Sequence, residues 1–267
     1  MSDNLRSYII SIIATSTRRL TPAQIFERLE KSISRRVFMK TIHQMVNDEQ
    51  IMFTYELGTA FVRLSYNKPV KISERIVLTP SNRSIQKVAQ NSTIVIKLTS
   101  GFSFGDGQHP TTILILQQLD ALFCNSSTIN IHKALDIGTG TGILAIAAAK
   151  LGAQSVLATD RDRIAVYEAQ NNIDMNQLGD RIQVRHSDKF PEDDVFQLII
   201  ANLRLPTLCS FAEDFYHNLG MPGFCVCSGY TEEESERLLK TFEQNQFTCI
   251  NHMHLNKWDC ATFAKSK

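Results

Sequence analysis

Glycine and proline are scarce, at 12 and 7 of 267 residues. That scarcity excludes collagen-like and low-complexity chains. No apolar run reaches the ~18 residues a spanning helix needs, so neither a membrane span nor a membrane partner is expected. The opening MSDNLRSYIISIIATSTRR is apolar only over Tyr8–Ile13. It lacks a basic leader and a small-residue cleavage site, so it does not read as a signal peptide. Metal spacing is missing as well. The cysteines, at 124, 209, 225, 227, 249 and 260, form no CxxC pair. Cys225 and Cys227 lie two apart in an expected strand, where they share a face too closely for a typical disulfide. Free thiols in a reducing cytoplasm are the expected state. His252 and His254 also share a strand face, and two histidines alone make a poor metal site. No internal repeat is visible.

What remains is an ordinary globular composition, 43% hydrophobic and 21% charged, which excludes a disordered chain. The length allows one large domain or two smaller ones. The net charge of +1 conceals an asymmetry. Residues 1–92 carry 14 Lys and Arg against 7 Asp and Glu, whereas residues 93–267 carry 14 against 20. A basic module joined to an acidic one suggests two jobs. Pro69, Pro80 and the polar run TPSNRS mark the connection. The expected division is a first module over 1–66, a linker over 67–92 and a second module over 93–267.

In the first module, Leu5, Ile9, Ile12 and Ile13 fit one helical face. Thr21 followed by Pro22 signals a second helix, with Ile25, Phe26 and Leu29 inward. Ser34 caps a third, with Phe38, Ile42, Met45 and Val46 inward. Ile51–Tyr55 and Ala60–Leu64 read as strands around Gly58. This order resembles a winged helix-turn-helix. On the third helix Arg36, Lys40, His43 and Asn47 fall opposite the apolar stripe. Such a face suits the major groove of DNA, a protein partner, or plain solvation; all three stay open.

The second module alternates. Strands are expected at 93–98, 133–137, 155–159, 181–186, 196–202 and 223–228. Helices are expected at 110–123, 143–151, 164–176, 206–218 and 232–242. Two adjacent strands close the chain. The pattern predicts an α/β fold: a Rossmann-like doubly wound sheet of seven strands with the last pair antiparallel.

The chemistry concentrates in ALDIGTGTGILAIAAAKLGA. Asp136 ends a strand, and Gly138, Gly140 and Gly142 follow before a helix. Glycines there permit a sharp turn and close approach to a ligand. A dinucleotide fingerprint would need glycine at 143, which is Ile143, so a dehydrogenase is disfavoured. Asp160 ends the next strand, where it can accept from both hydroxyls of a ribose. Together these point to S-adenosylmethionine. Asp136 reads as a cofactor ligand or as a carboxylate that orders the turn. Asp188 suits an adenine amino group or a solvated loop. In GFSFGDGQHPTT, Phe104 could shield the methionine part, Thr111 and Thr112 present hydroxyls, and His109 orders the loop or contacts ligand. Asn202, ending IIAN, could hold an amine or the amino-acid end of the cofactor; a plain turn role is the alternative.

From Phe102 to the C-terminus the chain resembles the PrmA-type ribosomal protein methyltransferases, which methylate amino groups of a large-subunit ribosomal protein. FGDGQHPTT (104–112) is similar to that family's FGTGxHPTT. LDIGTGTGILAIAAAKLGA resembles its strand-turn-helix, IIANL its VxANI, and Trp258 an aromatic near its end. The resemblance implies the class I methyltransferase fold and S-adenosylmethionine, with Thr112, Gly138, Asp160 and Asn202 as cofactor contacts and Phe104 in the cofactor loop. Two departures stand out. Pro206 falls four residues after Asn202 rather than five, with Arg204 in an aliphatic place. The first module replaces the family's amino-terminal domain. The expected function is protein N-methylation in the cytoplasm, with Asn202 catalytic and no metal. The alternatives are a nucleic-acid or small-molecule methyltransferase, with nucleic acid held through Arg36, Lys40 and His43, or a non-catalytic S-adenosylmethionine sensor. Leu203 after Asn202, in place of Pro-Pro-aromatic, argues against a base-modifying enzyme.

Overall fold

The computed structural model describes residues 2–16, 20–29, 33–56, 58–65, 69–80, 93–99, 107, 109–125, 130–191 and 194–265. The chain divides after Val70 into two compact units. The first holds α1 (Ser2–Thr15), α2 (Pro22–Glu27), α3 (Arg35–Asn47) and the antiparallel pair β1 (Ile51–Glu56) and β2 (Thr59–Leu64). Thr21 opens α2 with a reciprocal cap. Its hydroxyl accepts from the Gln24 N–H, and the Gln24 side chain accepts from the Thr21 N–H. Ser34 caps α3 by accepting from the Val37 N–H. Ile9, Ile25, Phe38, Ile42, Met45 and Val62 form the core. Each such side chain removed from water stabilises the unit by roughly 1.5–3 kcal/mol. Arg36, Lys40, His43 and Asn47 all stand exposed on the opposite face of α3.

Part of the expected linker is structured. β3 (Val70–Lys71), β4 (Ile76–Pro80) and β5 (Ile94–Leu98) form a three-stranded sheet in that order, with β4 and β5 parallel. Thus 71–80 is not connecting chain, and 94–98 does not join the large sheet. Ile76, Val77 and Leu78 are buried. Pro80 misled because it sits at the end of β4, where a missing N–H disturbs the ladder least. Arg75 anchors the strand by donating from Nε to the Asp120 carboxylate at 2.6 Å.

The large sheet takes β6 (Lys133–Ile137), β7 (Ser155–Asp160), β8 (Ile182–His186), β9 (Phe196–Asn202), β10 (Leu219–Thr231), β11 (Phe247–Leu255) and β12 (Trp258–Lys265). Its order is β11-β12-β10-β9-β6-β7-β8, parallel from β10 to β8, with β12 antiparallel to both its neighbours. Side chains alternate faces along each strand. Leu198 and Ile200 join one core, while Ile199 and Ala201 join the other. The first core is covered by α4 (Pro110–Asn125), α5 (Ile143–Leu151) and α6 (Arg163–Met175). The second is covered by α7 (Leu205–Ser210), α8 (Ala212–Asn218) and α9 (Glu232–Gln244). The single helix expected at 206–218 is two, parted at Phe211. After β8 the chain returns to the other side of β6 as β9. That reversal opens a crevice above the carboxyl ends of β6 and β9, where open α/β sheets receive ligands.

Candidate functional site

The turn after β6 is built for tightness. Gly138, Gly140 and Gly142 take φ of 73°, 57° and 79°, a region that suits glycine. A Cβ on Gly138 would fall 2.5 Å from Cδ2 of Leu203, and one on Gly142 would fall 3.2 Å from Cα of Ala169 in α6. The N–H groups of Gly138 and Thr139 donate to the Thr159 carbonyl. Asp136 is fully buried, and one carboxylate oxygen accepts from the Thr139 hydroxyl at 2.6 Å and the Ala145 N–H at 3.0 Å. Its other oxygen has no partner among the described residues. Burial pushes its pKa up to about 7, against the pull of those two hydrogen bonds and with a further push from Asp160.

Asp160, at the end of β7, accepts from the Gly140 N–H and from the Asp162 N–H, each at 2.9 Å and each on a different oxygen. A carboxylate has about four lone-pair positions, so acceptor capacity remains on both oxygens. Asn172 on α6 ties the turn to the end of β5. It donates to the Thr141 carbonyl and accepts from the N–H and hydroxyl of Thr99.

Asn202 ends β9. Its amide donates to the Thr112 hydroxyl at 3.4 Å, while its Oδ1 is buried with no partner among the described residues. Thr112 itself is fully buried at the start of α4. His109 contacts the Thr111 hydroxyl through Nδ1 at 2.7 Å, and its ring meets Trp258 edge-on with centroids 4.9 Å apart.

A cavity of about 680 Å³ gathers Gly138, Gly140, Asp160, Asp188, Asn202 and Trp258. Asp188 lines it from an exposed position after β8. Thr112, Asp136 and Gly142 are not among its lining residues: Thr112 holds Asn202, Asp136 holds the turn, and Gly142 admits α6. Phe104 lies outside the described residues. Sequence reasoning missed Gly229, which has φ of 100° and whose Cβ would lie 2.4 Å from the Leu203 carbonyl oxygen. The available signal was a glycine inside a strand pattern, which marks close backbone approach. His252 and His254, expected as a surface pair, both contact the buried Asp259 carboxylate, at 3.0 and 2.7 Å. That contact raises the His254 pKa. Among the described residues no cluster of three or more metal-ligating side chains occurs, and no helix is long and apolar enough to cross a membrane.

Residues 21–266 match the family model described as ribosomal protein L11 methyltransferase (PrmA). The match begins well upstream of Phe102, inside the first unit. The ribosomal protein L11 methyltransferase of Oceanobacillus iheyensis is 32% identical over 216 residues, covering 79% of this chain and 66% of that protein. The one from Anoxybacillus flavithermus is 32% identical over 204 residues, covering 76% and 63%. The chain thus spans less than two thirds of the length of these relatives. The crystal structure of a ribosomal protein L11 methylase from Lactobacillus delbrueckii subsp. bulgaricus superposes with a TM-score of 0.65 at 28% identity, covering 74% of this chain and 99% of that one.

Proposed function

The chain belongs to the ribosomal protein L11 methyltransferase (PrmA) family, and on that premise we propose that it transfers methyl groups from S-adenosylmethionine to an amino group of a ribosomal protein. The carrying observation is Asn202, which has a buried Oδ1 without a partner among the described residues and lines the same cavity as Asp160. The residues present fit the cofactor. A volume of about 680 Å³ lies within the range of small-molecule sites, and the glycine turn leaves room for close approach.

When bound, S-adenosylmethionine supplies a methyl carbon that takes the amine's lone pair while the carbon–sulfur electrons stay on sulfur. Asp160 accepts from the ribose hydroxyls on its free lone pairs. Gly138 and Gly140 let the backbone close on the ligand, and Asp188 receives the adenine amino group. Asn202 Oδ1 accepts one N–H of the neutral acceptor amine and so aims its lone pair; Thr112 keeps that oxygen pointed inward. Leu203 and Trp258 exclude water. Desolvation there favours the neutral form of a lysine, as the reaction requires. Afterwards the extra proton on the methylated nitrogen leaves to solvent.

Family membership favours a protein over a nucleic acid as the partner of the basic α3 face. Six free cysteines suit the reducing cytoplasm in which we place the protein. The reading is tested with tritiated methyl donor in a cell lysate, separated into ribosomal protein, RNA and small-molecule fractions. Label is expected in ribosomal protein. Label confined to RNA or small molecules overturns the substrate. Label nowhere, with the demethylated cofactor still bound in calorimetry, makes the chain a sensor instead.

A further inference from the structure

Arg204 stands where it can read the acceptor. We propose that it recognises a carboxylate beside the target amine, so that the site prefers a lysine flanked by Asp or Glu in a polypeptide. The proposal rests on the reading of the cavity as the methyl-transfer site.

Asn202 and Arg204 are two residues apart on extended chain, Arg204 having φ of −64° and ψ of 149°. Residues so spaced on extended chain have Cα atoms about 7 Å apart. Both line the cavity. The segment between them is fixed. The Leu203 N–H donates to the Ser228 carbonyl, and Leu203 is closed in by Gly229 behind and Gly138 beside it. Leu205 is buried, and Pro206 sets the first turn of α7. The arginine therefore projects from a rigid base, which is what a selective contact needs.

Among the described residues the guanidinium has no partner. Arg6 and Arg75 are bound to carboxylates, and Arg181 to carbonyls. Among the described residues the exposed Arg204 side chain makes neither a hydrogen bond nor an ion pair. Acids do line the same cavity. Asp160 is held by two backbone N–H groups, Asp162 caps α6 by accepting from the Ile164 N–H, and Asp188 is exposed, but none is paired to Arg204. Arg161 and Lys189 line the cavity too and add positive charge at its rim. A planar guanidinium matches a carboxylate with two parallel hydrogen bonds, a geometry that the acidic side chain of a neighbouring residue can meet.

The test uses the full chain and two short acetylated peptides, each with one central lysine, flanked by glutamates in one and glutamines in the other. Initial rates of tritiated-methyl transfer give kcat/KM for each. The glutamate peptide is expected to be favoured by about tenfold or more, as a charge-assisted hydrogen bond allows. In Arg204→Leu the preference falls to about one by a rise in KM for the glutamate peptide, and Arg204→Lys keeps part of it. Equal use of the two peptides by the natural chain, no transfer to the glutamate peptide, or a preference that survives Arg204→Leu overturns the proposal. Calorimetry with the demethylated cofactor runs in parallel. Binding there leaves the methyl-transfer reading standing whatever the peptides do, and no binding removes that reading itself.

Discussion

Around the Gly138–Gly142 turn, one oxygen of Asp136 excepted, polar groups are committed to one another before any ligand arrives. Asp160 holds two backbone N–H groups, Asp136 holds the Thr139 hydroxyl and the Ala145 N–H, and Gly138 and Thr139 donate to the Thr159 carbonyl. After β9 the pattern reverses. Asn202 spends its amide on Thr112 but leaves Oδ1 buried and unbonded, and Arg204 is unbound among the described residues. The first region suits a ligand of unvarying shape, for which the ordering cost is met during folding. Under the proposed function, the second holds its hydrogen bonds in reserve for an acceptor, whose arrival satisfies groups that are costly to leave bare.

The sharpest way to break this contrast is Asp136→Asn. Asn keeps an oxygen for Thr139 and Ala145 but cannot ionise. A carboxyl whose folded pKa is raised to about 7 binds its proton more tightly folded than unfolded, so native stability falls as pH rises from about 4 to about 7. Thermal unfolding across that window should show the natural chain losing up to about 4 kcal/mol that the variant keeps. Next comes Asn202→Ala, expected to slow methyl transfer about 100-fold by freeing the acceptor's orientation. Calorimetric affinity for the demethylated cofactor should stay within about threefold of the original, since neutral side-chain hydrogen bonds contribute little net energy; a parallel loss would merge the two regions. Asp160→Ala should do the converse, weakening that affinity about 30-fold, as loss of a charge-assisted contact does, with kcat at saturation little changed. Smallest is Gly142→Ala. Its positive φ and the close approach of Ala169 should cost about 1–2 kcal/mol in denaturant unfolding without altering the denaturant slope.

Much of the frame was legible. Lys133–Ile137 and Ile143–Leu151 were read to the residue, because a short apolar strand, a glycine turn and an alanine-rich helix leave few alternatives. β4 was hidden by Pro80 at its end and by a parallel partner across residues 81–93, since parallel pairing leaves no hairpin signal. Within the site, Asp160 and the glycines could be placed from local spacing alone. The pairing of Asn202 with Thr112 spans 90 residues and follows from the sheet's order, not from either neighbourhood. The division of labour at Asp136 turns on burial, which local sequence states poorly.

Gly229 presses against the backbone of Leu203 from the next strand, closer than any side chain could stand. Position 229 is therefore not free to drift. In a saturation library selected for a folded, active enzyme, codons for the other nineteen amino acids should vanish there, while exposed neighbours such as Glu233 tolerate wide replacement. Escape would require rebuilding the peptide that carries Asn202 toward Arg204, so under the proposed function the choice of methyl acceptor is tied to a single hydrogen atom across the sheet.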